Sequence, residues 1–198
     1  VQALGISVPK SFTAKSMGHA EKSKDKIRFP VFIKPVQGYL WRRHYDNKGF
    51  VASNQNELLD LCQQIFAKGI KVIVQEIIPG PASNNWEVSA YVDSKGRLLG
   101  EFIIRKIRQY PSDFGFATMT VSAHNPEVEK LGQRLIEGLV WRGFINMEFK
   151  FDPTDKIYKF IELNPRVWQQ VNQAEKLGLN FPLLQYLDML GMESKTAK

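Results

Sequence analysis

One cysteine and three histidines in 198 residues exclude most thiol and imidazole chemistry. Cys62 alone cannot form an internal disulfide, which fits a reducing, cytoplasmic setting. Its neighbours Leu58, Leu61, Ile65 and Phe66 recur at helical spacing, so it reads as a buried structural thiol, not a nucleophile. His19, His44 and His124 are scattered, which leaves no histidine metal cluster. No apolar run is long enough to span a membrane, and there is no internal repeat or low-complexity segment. Acidic residues are the minority charge, 20 against 27 Lys and Arg, for a net +7. That balance suits phosphate-bearing ligands or a nucleic-acid surface. The opening Val1-Gln-Ala-Leu-Gly-Ile-Ser-Val-Pro9 reads as the tail of a helix entering a strand, and we expect a longer protein around the chain.

What is present centres on Gly143 to Trp168. Two apolar runs are joined by the turn residues Asp152-Pro-Thr-Asp155, which predicts two paired strands. Glu148 falls inside the first run. Glu162 and Asn164 end the second, two residues apart and so on one strand face. Carboxylates in apolar strands are costly unless satisfied by charged partners. Two carboxylates and an amide on neighbouring strands form a hard oxygen set suited to Mg²⁺, which takes its other ligands from phosphates. Arg166 follows at once and could face the same phosphates. Two strand-edge glutamates that merely face water are the alternative.

Upstream, Gly5 ends a helical remnant and Ile6–Ala14 reads as a short strand with Pro9 at its edge. Phe29-Pro-Val-Phe-Ile-Lys-Pro35 is a buried strand that closes on Lys34, which either meets an anion or reaches solvent. Gln37 to Lys48, with Trp41, Arg42, Arg43 and His44, reads as a basic, aromatic loop. It suits a nucleotide flap at least as well as a nucleic-acid surface. Asn54 with Glu57 forms a capping box for a helix ended by Gly69. The next strand ends in Gln75 and Glu76, and Pro79-Gly80-Pro81 marks a hinge between subdomains, 1–78 and 79–198. Residues 84–108 read as a hairpin about Asp93-Ser-Lys-Gly96. Arg105, Lys106 and Arg108 lie on its return strand on opposite faces, so they cannot all serve one site. Asn125-Pro126 starts a further helix ended by Gly143. Val167–Leu177 and Asn180–Leu190 read as the last two helices, before a polar tail, Lys195 to Lys198.

The combination of Phe-Pro-Val-Phe-Ile-Lys-Pro35, Val-Gln-Glu-Ile-Ile-Pro-Gly80 and Glu-Leu-Asn-Pro-Arg166 resembles the ATP-grasp superfamily over nearly the whole chain. The resemblance implies an α+β fold in which two subdomains with antiparallel sheets sandwich a nucleotide. It implies ATP and Mg²⁺ (or Mn²⁺) as cofactors. Lys34 would contact the α- and β-phosphates. Gln75 and Glu76, with the backbone of Ile77 and Ile78, would hold adenine, and Glu87 the ribose hydroxyls. Arg105 or Lys106 would reach phosphates. Glu148, Glu162 and Asn164 would bind the metal, and Arg166 would stabilise the transferring phosphoryl group. The implied activity is transfer of the γ-phosphoryl of ATP to a carboxylate, followed by attack of an amine. Ile-Arg-Lys-Ile-Arg-Gln-Tyr-Pro-Ser-Asp-Phe-Gly115 beside Glu-Leu-Asn-Pro-Arg-Val-Trp168 resembles the D-aspartate ligase and carbamoyl-phosphate-synthase-like group.

Two departures stand out. Gln37-Gly-Tyr-Leu-Trp-Arg-Arg43 replaces the Gly-rich flap common in the superfamily, and the α/β domain that usually precedes this region is expected elsewhere in the same longer chain. The expected partners are ATP and a small carboxylate and amine, with no membrane. Association as a homodimer is left open. A regulatory nucleotide-binding module without catalysis and a basic nucleic-acid-binding domain are the alternative functions. Intact Glu148, Glu162, Asn164 and Arg166 count against the first, and carboxylates set in apolar strands against the second.

Overall fold

A computed structural model describes residues 1–192. The polar tail at Lys195–Lys198 lies outside the described residues. The chain divides into two compact units, Pro9–Ile78 on one side and Val1–Val8 with Pro79–Lys198 on the other.

The smaller unit contains β1 (Ser11–Ala14), α1 (Met17–Ser23), β2 (Val31–Pro35), α2 (Gly38–Trp41), β3 (Phe50–Ala52), α3 (Gln55–Phe66) and β4 (Val72–Glu76). Its strands form an antiparallel sheet in the order β1-β4-β2-β3. Alternation in β2 and β4 sends Val31, Ile33, Val72 and Val74 into a core shared with Leu58, Cys62 and Ile65 of α3. The α3 capping box forms as expected, with Asn54 accepting from the Glu57 amide and Glu57 accepting from the Ser53 amide. The expected strand over Ile6–Ala14 is confined to β1. Ile6 is instead buried in the core of the larger unit, and the Ser7 carbonyl accepts from the Phe160 amide. Pro9, which has no amide hydrogen to donate, lies between these two attachments.

The stretch expected as a flap is partly core. Trp41, on the single turn α2, is 1% exposed. Its ring packs 4.4 Å from Tyr45 and 5.3 Å from Phe50, and its Nε1 donates to the Asn47 carbonyl at 2.8 Å. A buried indole offers no face for a base to stack on, which removes the main sequence argument for nucleic acid.

The larger unit contains β5 (Asn85–Val92), β6 (Leu98–Tyr110), β7 (Phe116–Ser122), α4 (Pro126–Gly138), β8 (Gly143–Asp152), β9 (Ile157–Asn164), α5 (Val171–Lys176) and α6 (Phe181–Met189). The sheet is antiparallel throughout, in the order β7-β6-β5-β8-β9. One face carries Val88, Ala90, Ile145, Met147 and Phe149, which pack with Val128 and Leu135 of α4. The opposite face is apolar at one end, where Tyr91, Phe102, Ile104 and Phe144 lie with Trp168, Ala174, Phe181 and Leu184. The helix expected from Val167 begins only at Val171. Trp168 precedes it and is buried, its ring 4.7 Å from that of Phe181. Asp188 ties α6 to the β5–β6 hairpin by accepting from the Tyr91 hydroxyl and from the Ser94 amide and hydroxyl.

Candidate active site

Beyond its apolar end, the second face of the larger sheet turns polar. Strand alternation puts Phe144, Asn146, Glu148, Lys150 and Asp152 on one side of β8, and Ile145, Met147, Phe149 and Phe151 on the other. Glu148 pairs directly with Glu87 of β5 and Glu162 of β9, so three carboxylates stand abreast. The next rung holds Ser89, Asn146 and Asn164.

A bulge makes this possible. Glu148 pairs with Glu162 but Phe149 pairs with Phe160, which leaves Ile161 as the extra residue. In a regular strand, residues 160 and 162 would share a face. The bulge lets Phe160 join the core against Phe149 while Glu162 and Asn164 keep the polar face.

Hydrogen bonds lock the second rung to the first. The Asn146 amide, 2% exposed, donates to Glu87 Oε2 at 3.1 Å and to Ser89 Oγ at 2.9 Å. Asn164 Nδ2 donates to Asn146 Oδ1 at 3.2 Å and to Glu148 Oε1 at 3.4 Å. Arg166 Nη2 donates to Asn164 Oδ1 at 3.3 Å, while Nη1 meets the Val167 carbonyl. Burial pushes the Glu87 carboxyl above the ordinary carboxylate range. Asn146 and Lys106 pull it back down, and Glu162 adds to the rise.

The basic residues of β6 separate. Lys106 is buried on the carboxylate side, close enough to Glu87 to stabilise its charge. Arg105 lies on the opposite face, where Nε donates to the Ser83 carbonyl at 2.6 Å and the guanidinium sits 5.6 Å from the Trp86 ring centre. Strand alternation turns Arg105, one of the two residues expected to reach phosphates, away from Glu87, Glu148 and Glu162.

In the smaller unit, Lys34 and Gln75 share one sheet face, since Gln75 is opposite Phe32 and Lys34 lies two residues on. Glu76 points to the other face. Its carboxylate accepts from the Arg28 amide at 2.9 Å and lies 3.9 Å from the Arg28 guanidinium. The Ile77 amide donates to the Pro30 carbonyl, and Ile78 is buried. Of the stretch expected at adenine, the Glu76 side chain and the Ile77 amide are thus already engaged within this unit.

Sequence reading missed Ser89, Asn146 and Lys150. The signal for Asn146 and Lys150 was the alternation Asn146-Met-Glu-Phe-Lys150, which places polar residues two before and two after Glu148. Among the described residues, no three His, Cys, Asp or Glu side chains are placed to hold a metal by themselves. A cation here would draw on an amide and on a ligand's own oxygens. Glu148, Glu162 and Asn164 fit that requirement: two carboxylates abreast and a neighbouring amide are hard oxygen donors of the kind Mg²⁺ accepts.

This α+β architecture is the ATP-grasp fold. It aligns with N5-carboxyaminoimidazole synthetase from Staphylococcus aureus complexed with ADP at a TM-score of 0.70 and 12% identity, over 98% of this chain and 50% of that one. It aligns with D-alanyl-alanine synthetase A from Vibrio cholerae, also at 0.70, with 15% identity over 96% of this chain and 61% of that one. In sequence, the chain is 29% identical over 172 residues to D-aspartate ligase of Enterococcus faecium, matching 82% of this chain and 40% of that protein. It therefore spans about two fifths of that relative's length. No family model matches the chain. The resemblance to ATP-grasp proteins drawn from the three motifs is borne out in the fold and in these relatives.

Proposed function

We propose that the chain is the ATP-binding and catalytic part of an ATP-dependent carboxylate–amine ligase. The observation that carries this is the register of Glu87, Glu148 and Glu162 across three strands, locked to Asn146, Asn164 and Arg166 on an ATP-grasp fold. Its similarity to D-aspartate ligase supports an amino acid as one substrate.

In this reading Glu148, Glu162 and Asn164 would hold Mg²⁺, which when bound would supply positive charge for the nucleotide phosphates. Asn146 and Asn164 fix the angles of Glu87 and Glu148, so that little reorganisation is needed when the charged ligand binds. Glu87, at the β5 end of the carboxylate row, binds the ribose hydroxyls in this reading. Arg166 projects from the end of β9 and stabilises the phosphoryl group in transfer. Lys106 supplies positive charge beside Glu87. From the smaller unit, Lys34 contacts the α- and β-phosphates. Gln75 and the backbone about Glu76, Ile77 and Ile78 hold adenine through the groups the sheet leaves available.

The chemistry is two displacements. The carboxylate oxygen takes the γ-phosphorus of ATP as the β–γ P–O bond breaks, releasing ADP. The amine then attacks the acyl carbon. A C–N bond forms, the C–O bond to phosphate breaks, and inorganic phosphate leaves with the amine proton passed to solvent. Both steps gather negative charge, which cations and Arg or Lys side chains must balance. We place this reaction in the cytoplasm, consistent with the lone buried cysteine.

The test follows phosphate release from ATP by the full-length gene product across a matrix of carboxylates and amines, D- and L-amino acids included. Release should require a divalent cation, a carboxylate and an amine, and Glu162→Ala should lower it by at least ~100-fold, the size of effect expected when transition-state charge loses its stabiliser. ATP bound without turnover of any pair would favour a regulatory module. No ATP binding would overturn the reading.

A further inference from the structure

After Asn164 the chain recrosses the polar face. β9 is one edge of the sheet and β7 the other. Thr120 of β7 pairs with Lys106, so it stands on the carboxylate side, and its hydroxyl donates to Gln173 Oε1 of α5 at 2.8 Å. The stretch between Asn164 and Gln173 therefore spans the sheet from edge to edge on that side. Trp168 lies at its middle. It is 3% exposed and packs in one cluster with Tyr91, Phe102, Ile104 and Phe144. Ile104 pairs with Glu87 and Phe102 with Ser89, so these neighbours of the indole stand abreast of the carboxylate rung and of the rung next to it.

Among the described residues, the Trp168 Nε1–H is buried without a hydrogen-bond partner. Trp41 and Trp141, by contrast, donate theirs to the Asn47 and Phe144 carbonyls at 2.8 and 3.0 Å. An indole N–H can only donate, and buried donors in native proteins are nearly always paired. The stretch that carries this one is lightly held. Arg166 bonds to Asn164 and to the carbonyl of its own neighbour Val167, and the Trp168 carbonyl accepts from the Val171 amide at 3.4 Å, a long bond. The nitrogen is closed off here, so an acceptor reaches it through a shift of this stretch. The reaction supplies such an acceptor. An attacking carboxylate must lie against the phosphoryl group that Arg166 faces in the ligase reading. The next side-chain donor along the chain is Trp168. Its apolar surroundings strengthen any bond it makes to a charged oxygen.

We propose that Trp168 is a substrate-binding residue, whose Nε1–H takes up a carboxylate of the small-molecule substrates as the stretch 165–170 shifts. The inference rests on the ligase reading above and deepens it by giving this buried aromatic a role. The carboxylate belongs to the acyl substrate or to an amino acid that serves as the amine. Both present the same acceptor.

The experiment uses the full-length gene product and the carboxylate–amine pair that supports phosphate release, with D-aspartate tried first. Trp168→Phe removes the donor. Trp168→His keeps one, because imidazole Cδ2 and Nε2 overlie Cδ1 and Nε1 of an indole, and at about pH 8 the ring is neutral and still carries an N–H. Both variants leave a similar gap in the packing. The KM of each substrate and the Kd of ADP are measured, with melting of the unliganded protein as the folding control. If the acyl carboxylate is bound, Trp168→Phe raises its KM about tenfold, the size set by one hydrogen bond to a charged group, and leaves the amine KM and the ADP Kd unchanged. If the amino acid's carboxylate is bound, the amine KM rises instead. In either case Trp168→His recovers part of the loss. The proposal is overturned if neither KM moves, if the two variants are equally impaired, or if ADP weakens as much as the substrate. Should both variants melt well below wild type, the indole N–H NMR signal of wild-type Trp168 decides: saturating substrate moves it downfield, and an unmoved signal overturns the proposal. A wild type that binds no ADP, or turns over no pair, would overturn the ligase reading itself, a result distinct from an active wild type matched by Trp168→Phe.

Discussion

Asn146 donates to Glu87 Oε2 from a position 2% exposed, and the same amide nitrogen also serves Ser89. One side chain thus satisfies two buried acceptors and accepts from Asn164 in turn. Asn146→Leu keeps the branching and the number of heavy atoms but removes all three bonds. Leaving buried polar groups unpaired costs about 1–3 kcal/mol each, and some relaxation is expected, so the variant should lose about 2–4 kcal/mol in chemical denaturation. It should also raise the carboxyl pKa of Glu87 further, because the bond that favours its charged form is gone. A stability change under 0.5 kcal/mol would show that this network is not holding the row.

Glu101 gives a second prediction, away from the site. Its Oε2 is buried without a hydrogen-bond partner, and its Oε1 accepts a long bond, 3.4 Å, from Gln133 of α4. Burial first, then the charge of Glu129, pushes its carboxyl up to about 7. The folded state therefore holds this proton more tightly than the unfolded chain does. Stability is greatest below the unfolded value and falls as pH rises through the window from about 4.5 to 7. Because Glu101 is only partly buried, the shift is discounted for solvent screening to about 1–2 kcal/mol. Glu101→Gln should flatten that part of the stability–pH curve and leave the variant more stable than wild type at pH 8, measured by urea denaturation across pH.

How much of this was legible in the sequence depended on period. In β8 the alternation is strict, so the paired strands, the placement of Glu148 and the shared face of Glu162 and Asn164 could all be read from residue order. Opposite faces for Arg105 and Lys106 followed from the same rule, although only the structure shows which of them meets the carboxylates. The bulge at Ile161 was not legible, because an extra residue in a strand leaves no mark in an apolar run. Trp41 was misread for a related reason. Among Arg42, Arg43 and His44 it looks like part of a solvent loop, and only contacts with Tyr45 and Phe50, on a neighbouring turn and strand, make it core. Asn146 went unmarked because a buried amide differs from an exposed one only in its partners, which come from β5 and β9.

At the far end of β8, Lys159 and Asp152 form a buried pair at 2.7 Å, with Asp155 completing the contact to the lysine. Asp152 is wholly buried and also accepts from the Thr154 amide, closing the turn. Burial alone would raise its carboxyl, but the bonds from Lys159 and the turn amides win and hold it below the ordinary range. Its contribution is therefore present above the unfolded carboxylate value and lost as pH falls below it. Lys159→Met should cost about 3–5 kcal/mol, since it strands a buried charge, whereas Asp152→Asn with Lys159→Met should recover part of that loss. A denaturation series on the single and double variants measures the difference. A double variant as unstable as the sum of the singles would show that the two charges are not coupled.

Gly132 tests how closely α4 must approach the sheet. A Cβ built there would lie 2.8 Å from Val88 Cγ1 and 3.2 Å from Val88 Cβ, inside any normal contact. Val88 is wholly buried on β5, one residue past Glu87 and one before Ser89. Relief must come from moving the helix outward or pushing the strand toward the polar face. Gly132→Ala should therefore cost about 1–3 kcal/mol by overpacking, despite alanine's better helix propensity. Gly132→Ala with Val88→Ala should restore the fit to the helix while leaving a cavity cost, so the two changes should couple rather than add. If strand movement absorbs the strain, the ADP Kd will shift in Gly132→Ala and return in the double variant. An unchanged Kd with lowered stability would place the movement in α4 alone.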